Sequence, residues 1–169
     1  VGTKYDAHMA NRFDTLPMRL QAVSVEKHLG DIPTLLVRQD DQPRPFILWL
    51  HGRTADKELD SGRYLRYVRR GINVCAVDLP GHGERFVSEL QEPERILEVI
   101  LTMVGEIDAL LERLDGIGGF NMNKAAIGGM SAGGIASTLR LLQSHPFKVV
   151  VLEASMGSWG EKRDHPMFS

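Results

Sequence analysis

The chain has 169 residues, 43% of them hydrophobic and 25% charged, a balance that fits one globular domain with a substantial core. Its 20 basic residues against 22 acidic ones leave a formal charge of −2, so no nucleic acid and no membrane surface is expected as a partner. Cys75 is the single cysteine, which excludes an internal disulfide and makes a reducing, cytoplasmic location the expectation.

No stretch approaches the ~20 apolar residues of a membrane span. The opening residues lack the apolar core of a signal peptide, although a first residue of Val1 rather than Met leaves a trimmed leader open. Residues 1–20 show no clear period and read as an irregular or partly helical lead-in. Leu20–Lys27 and Ile32–Arg38, joined by Gly30 and Asp31, carry the signals of an antiparallel hairpin. A polar, proline-rich connection through Pro43 and Pro45 leads to Phe46–Leu50, a continuous apolar run typical of a strand buried on both faces. Leu59–Arg70 reads as a helix, with Arg69, Arg70 and Gly71 suiting its C-terminal dipole and cap. Asn73–Leu79 is the next buried strand, and Cys75 inside it reads as an inert core thiol.

Pro93 opens a long helix, with Ile96, Ile100, Met103, Ile107, Leu110 and Leu114 forming one apolar stripe. A turn over residues 116–123 precedes strand Lys124–Met130, helix Ala132–Ser144 and strand Phe147–Glu153. Strands alternating with helices imply right-handed crossovers and a mostly parallel sheet covered on both faces, here with an antiparallel start.

In such a sheet, ligands bind at the carboxyl ends of the strands. Those ends carry His51, Gly52, Arg53 and Thr54, then Pro80 to Arg85, then Gly129, Met130, Ser131, Ala132, Gly133 and Gly134. The last group is G-x-S-x-G between a predicted strand and a predicted helix, where a sharp turn would lift the Ser131 hydroxyl above the sheet. Strand and helix then approach so closely that Gly129 and Gly133 must be small, and Gly134 relieves the approach further. Ala132, at a helix N-terminus, would aim its N–H at a developing oxyanion, and the N–H of Arg53 is the expected second donor. The spacing fits neither G-x-G-x-x-G, because Ser131 takes the middle glycine's place, nor G-x-x-x-x-G-K-[ST], because no lysine follows.

Together these motifs resemble the α/β-hydrolase superfamily over about residues 20–155. The doubled glycine after the serine is similar to the prolyl-oligopeptidase-like and dienelactone-hydrolase-like esterase branch. The resemblance implies that Ser131 is the nucleophile, that Arg53 and Ala132 supply oxyanion-hole amides, and that Asp78–Gly83 shapes the site. The order in that superfamily is serine, then acid, then histidine, so His51 and His82 read as loop-orienting residues rather than as the base. Arg53 has a second reading, as a side-chain clamp for a substrate carboxylate.

Asp164 and His165 are adjacent and make a poor acid–base pair, while Glu153, at a strand end, is a minor candidate for the acid. Residues 1–155 are expected to be the N-terminal part of one α/β-hydrolase domain whose last strands are missing. Residues 156–169, with Gly157 to Gly160, are expected to start a cap or lid. The Phe147–Glu153 strand should then present an open apolar edge, which invites a second copy or another polypeptide to pair with it. The expected activity is hydrolysis of a carboxylic ester, with a peptide or amide as the other substrate, through an acyl-enzyme on Ser131 and without metal or cofactor. A non-catalytic scaffold that binds a ligand or partner is the alternative.

Overall fold

The computed structural model describes residues 12–155. Within them a short helix α1 (Met18–Gln21) precedes strands β1 (Ser24–Leu29), β2 (Ile32–Val37) and β3 (Arg44–Leu50). Helix α2 (Ser61–Arg69), strand β4 (Asn73–Val77), helix α3 (Ile96–Asp115), strand β5 (Phe120–Met130), helix α4 (Ala132–Arg140) and strand β6 (Val149–Glu153) follow. The strands form one six-stranded sheet in the order β1-β2-β4-β3-β5-β6. β1, β2 and β4 pair antiparallel, whereas β4, β3, β5 and β6 run parallel.

Alternation along β3 divides the core. Phe46, Leu48 and Leu50 join the α3 and α4 layer, with Ile100, Met103, Ile107 and Ile135. Ile47 and Trp49 join the opposite layer, with Tyr64 and Val68 of α2 and with Leu20 of α1. The five side chains from Phe46 to Leu50 are buried, and each contributes about 1.5–3 kcal/mol by leaving water. That two-sided burial is why β3 and β4 read as unbroken apolar runs.

Several boundaries differ from the sequence reading. Leu20 lies in α1, not in the first strand, because Pro17 starts a single helical turn and burial of Leu20 against α2 holds it there. The hairpin strand instead runs to Leu29, opposite Ile32. Pro93–Arg95 forms a 3-10 turn, and α3 proper begins at Ile96. β5 starts early, at Phe120, whose ring packs edge-on against Phe46 at 5.5 Å, and a register shift absorbs the extra residues. α4 stops at Arg140, not Ser144: the buried Arg140 side chain donates to the Ser144 carbonyl at 2.8 Å and pairs with Asp108, replacing the helical ladder. Phe147 packs into the core beside His145, so β6 begins at Val149.

Among the described residues β6 is an edge strand. Val149, Val150 and Leu152 are 57%, 39% and 42% exposed. Beside it, Pro45, Ile47, Tyr67, Ile72, Ala126 and Val151 line an open groove on the α2 side of the sheet. No described helix is long and apolar enough to cross a membrane. The expected cap or lid, and Asp164 and His165 with it, lie outside the described residues.

Candidate active site

The chain leaves β3 toward β4 on one side and crosses back to β5 on the other. The carboxyl end of β3 is therefore the topological switch point, where an α/β sheet opens a crevice. The loops after β3, β4 and β5 meet there.

Ser131 occupies the turn between β5 and α4 at φ 51 and ψ −115. A side-chain-bearing residue holds such a backbone at a cost of about 1–3 kcal/mol, repaid by its surroundings. Its N–H donates to the Glu153 carbonyl at 2.9 Å, and its own carbonyl receives the Ile135 N–H at 3.0 Å to start α4. The helix lies almost on the sheet. A Cβ at Gly133 would sit 2.1 Å from the Leu50 carbonyl oxygen, and one at Gly129 would sit 2.5 Å from Gly133 itself. Only hydrogen fits at either position. Gly134 faces Ser155 in the same way, its Cβ position 2.6 Å from the Ser155 Cβ.

The loop after β3 comes against this turn: the Cβ position of Gly52 is 3.5 Å from both the Ser131 Cβ and the Met130 carbonyl. His51 fixes that loop from beneath. Its Nε2 accepts the Leu79 N–H at 3.0 Å, which leaves the ring proton on Nδ1, donated to the Gly52 carbonyl at 2.7 Å. Because a peptide is planar and trans, pinning the Gly52 carbonyl also directs the Arg53 N–H the opposite way. Burial pushes the His51 pKa down to about 3, so the ring is neutral. The Asp78 carboxylate is 3.8 Å from Nε2 but does not recruit a proton there. Its oxygens already receive the N–H groups of Lys57 and Glu84 at 2.8 and 3.0 Å.

His82 is buried in the neighbouring loop, its ring 5.5 Å from that of His51, with Nδ1 donating to the Pro80 carbonyl at 2.8 Å. Burial lowers its pKa as well. Both rings are thus bonded to loop backbone, and neither is bonded to Ser131. The Arg53 guanidinium donates to the Gln91 carbonyl at 2.7 Å and ties the β3 loop to the 3-10 turns before α3. Both Glu153 carboxylate oxygens are taken by Arg63, which holds that pKa below its ordinary value.

Two polar groups around the site left no mark in the sequence. Lys57, its side chain only 2% exposed, sets Nζ 2.7 Å from Glu58 and 3.4 Å from Asp78, with Glu26 at 3.5 Å and Glu84 in direct contact. Burial disfavours its ammonium, but these carboxylates outweigh that and hold its pKa above the ordinary value. The oxygens of Glu26, Glu58 and Glu84 all lie within 4.8 Å of one another, and the Lys57 ammonium is their counter-ion. Arg63 is the second group. Local spacing shows only Glu58 beside Lys57 and Asp60 near Arg63; the partners that complete each group, Asp78, Glu84 and Glu26 for Lys57 and Glu153 for Arg63, are distant in the chain.

A family model described as the alpha/beta hydrolase family matches residues 47–169. The chain belongs to that family. It is 27% identical over 124 residues to esterase YjfP of Escherichia coli strain K12, covering 71% of this chain and 49% of that protein. It therefore spans about half the length of that relative. The fold resembles TT1662 from Thermus thermophilus, with a TM-score of 0.65 and 23% identity over 79% of this chain and 57% of the other. A cold-adapted esterase from an Arctic intertidal metagenomic library gives a TM-score of 0.62 and 22% identity over 76% and 58% of the two chains.

Proposed function

We propose that this chain carries the nucleophile and oxyanion hole of a serine hydrolase acting on a carboxylic ester. The observation that carries the reading is the backbone of Ser131: a non-glycine residue at φ 51, at the switch point, with the Gly52 loop against its Cβ. A serine held there by packed glycines serves to present a hydroxyl, and the similarity to proteins named as esterases agrees with ester substrates.

In this reading the Ser131 Oγ attacks the ester carbonyl and the negative charge moves onto the carbonyl oxygen. The N–H groups of Ala132 and Arg53 receive that oxyanion, and losing one such donor costs about 3–4 kcal/mol in the transition state. Collapse expels the alcohol and leaves the acyl group on Oγ, and water then releases the carboxylic acid. The Ser131 proton passes to a base that we assign to residues outside those described, and that group returns it to the departing alcohol oxygen as the adduct collapses. His51 has both ring nitrogens engaged; His82 spends Nδ1 on its own loop and keeps Nε2 without a partner, and no hydrogen bond joins either ring to Ser131. Glu153 is not the acid in this reading, because Arg63 engages both of its oxygens.

The test is turnover of a short-chain nitrophenyl ester by the full-length protein and its Ser131→Ala variant. Turnover abolished by the substitution supports the reading. Equal turnover in the variant removes it in favour of a different nucleophile, and no turnover by the full-length wild-type protein removes it in favour of a scaffold.

A further inference from the structure

One side chain braces the Ser131 turn from both flanks. Arg63, in the first turn of α2, places its guanidinium 4.3 Å from the centre of the Trp49 ring. The same group meets both Glu153 oxygens, with Nη2 at 2.5 Å from Oε2. Trp49 lies next to the end of β3, and Glu153 ends β6. Those two strands flank β5 in the sheet, so the Trp49, Arg63 and Glu153 side chains together link strands about 10 Å apart, two strand spacings, across the strand that delivers Ser131.

The crossing depends on Gly128. A Cβ there would lie 2.7 Å from the Val151 carbonyl oxygen and 3.0 Å from the Trp49 ring, so the indole rests directly over the β5 backbone. Asp60 closes the network: it accepts the Trp49 Nε1–H at 2.7 Å and lies 3.6 Å from the Arg63 Nε. The strand end that Arg63 holds is the one whose carbonyl receives the Ser131 N–H at 2.9 Å.

We propose that Arg63 is a positioning residue for Ser131, fixing Glu153 and Trp49 so that the strained turn and the Ala132 amide keep their place. This rests on the reading of Ser131 as nucleophile. Magnitudes separate positioning from plain stability. The Glu153 carboxylate is 41% exposed, and a pair that open to water adds little to folding, about 0–1 kcal/mol. A displacement of about 1 Å at a reacting atom, by contrast, can cost about 100-fold in rate.

The test uses the full-length protein with Arg63→Ala, Arg63→Lys, Glu153→Gln and the Arg63→Ala/Glu153→Gln double variant, alongside Ser131→Ala. Readouts are kcat and KM on a nitrophenyl ester, the rate of Ser131 labelling by a fluorophosphonate, and the thermal midpoint. Arg63→Ala and Glu153→Gln should each lower kcat and the labelling rate by roughly 10- to 100-fold with little change in KM. The double variant should be no worse than either single one, and Arg63→Lys should recover part of the loss. A folded Arg63→Ala variant with wild-type kcat and labelling rate overturns the proposal, as do losses that simply multiply in the double variant. If Arg63→Ala does not fold, the near-isosteric Glu153→Gln decides by the same readouts. Turnover and labelling unaffected by Ser131→Ala would bring down the nucleophile reading and the brace together. Their loss in Ser131→Ala beside normal values in Arg63→Ala brings down the brace alone.

Discussion

The imidazole of His51 accepts the Leu79 N–H at 3.0 Å while its other nitrogen donates to the Gly52 carbonyl at 2.7 Å. One neutral ring thus joins the loops after β3 and β4 and orients the peptide that carries the Arg53 N–H. Protonation would put a second N–H against the Leu79 donor, so the bridge exists only in the neutral state.

A pH dependence follows. The pKa of His51 is about 3 when folded, against about 6.5 in an unfolded chain. Below that higher value the unfolded state binds a proton that the folded state refuses. Stability is therefore full above pH ~6.5 and falls as pH drops toward the folded value, at about 1.4 kcal/mol per pH unit for one proton. Denaturant titrations between pH 7 and 5 should show this slope. His51→Gln should be less stable at pH 7 and show a shallower slope; an unchanged slope would refute the assignment.

Gly133 and Gly105 offer opposite outcomes for the same substitution. At Gly133 a methyl group meets the Leu50 and His51 carbonyl oxygens at 2.1 and 2.5 Å, and backbone cannot yield there. Gly133→Ala should cost about 3 kcal/mol or more. Gly105 lies exposed in the middle of α3 with nothing within 4 Å of the added atom, so Gly105→Ala should stabilise by about 0.5–1 kcal/mol. Chemical denaturation of both variants checks the pair.

Lys57 neutralises a buried set of carboxylates. Removing its charge leaves Asp78 and Glu58 without their counter-ion, and breaking a buried pair from one side typically costs about 3–5 kcal/mol. Lys57→Met should lose that much stability at neutral pH. A loss below about 1 kcal/mol would mean that water already reaches the cluster.

Cys75 sits fully buried in β4, and burial pushes its thiol pKa up. It should resist a disulfide reagent in the native protein and react stoichiometrically once unfolded. Fast reaction of the native protein would contradict its core position.

The parts of this fold legible in the sequence are those where one physical demand dominates. β3 and β4, buried on both faces, leave apolar runs, and α3 keeps one stripe at helical spacing. The glycines around Ser131 were readable because the crossing of β5 and α4 tolerates no side chain at Gly129 or Gly133. Leu20 misleads because so short an apolar spacing, Leu20 then Ala22, suits a strand and a single helical turn equally. The early start of β5 is hidden by its polar residues, half-buried Asn121 and exposed Asn123. Arg63 was invisible for another reason: its partner Glu153 is 90 residues away, and nothing in the local pattern of α2 distinguishes it from a solvated arginine.

The most direct measurement of the central claim is peptide mapping by mass spectrometry after fluorophosphonate treatment of the full-length protein. One covalent adduct, on the peptide containing Ser131 and absent from the Ser131→Ala variant, is the predicted result. An adduct on another serine, or equal labelling of the variant, would contradict it.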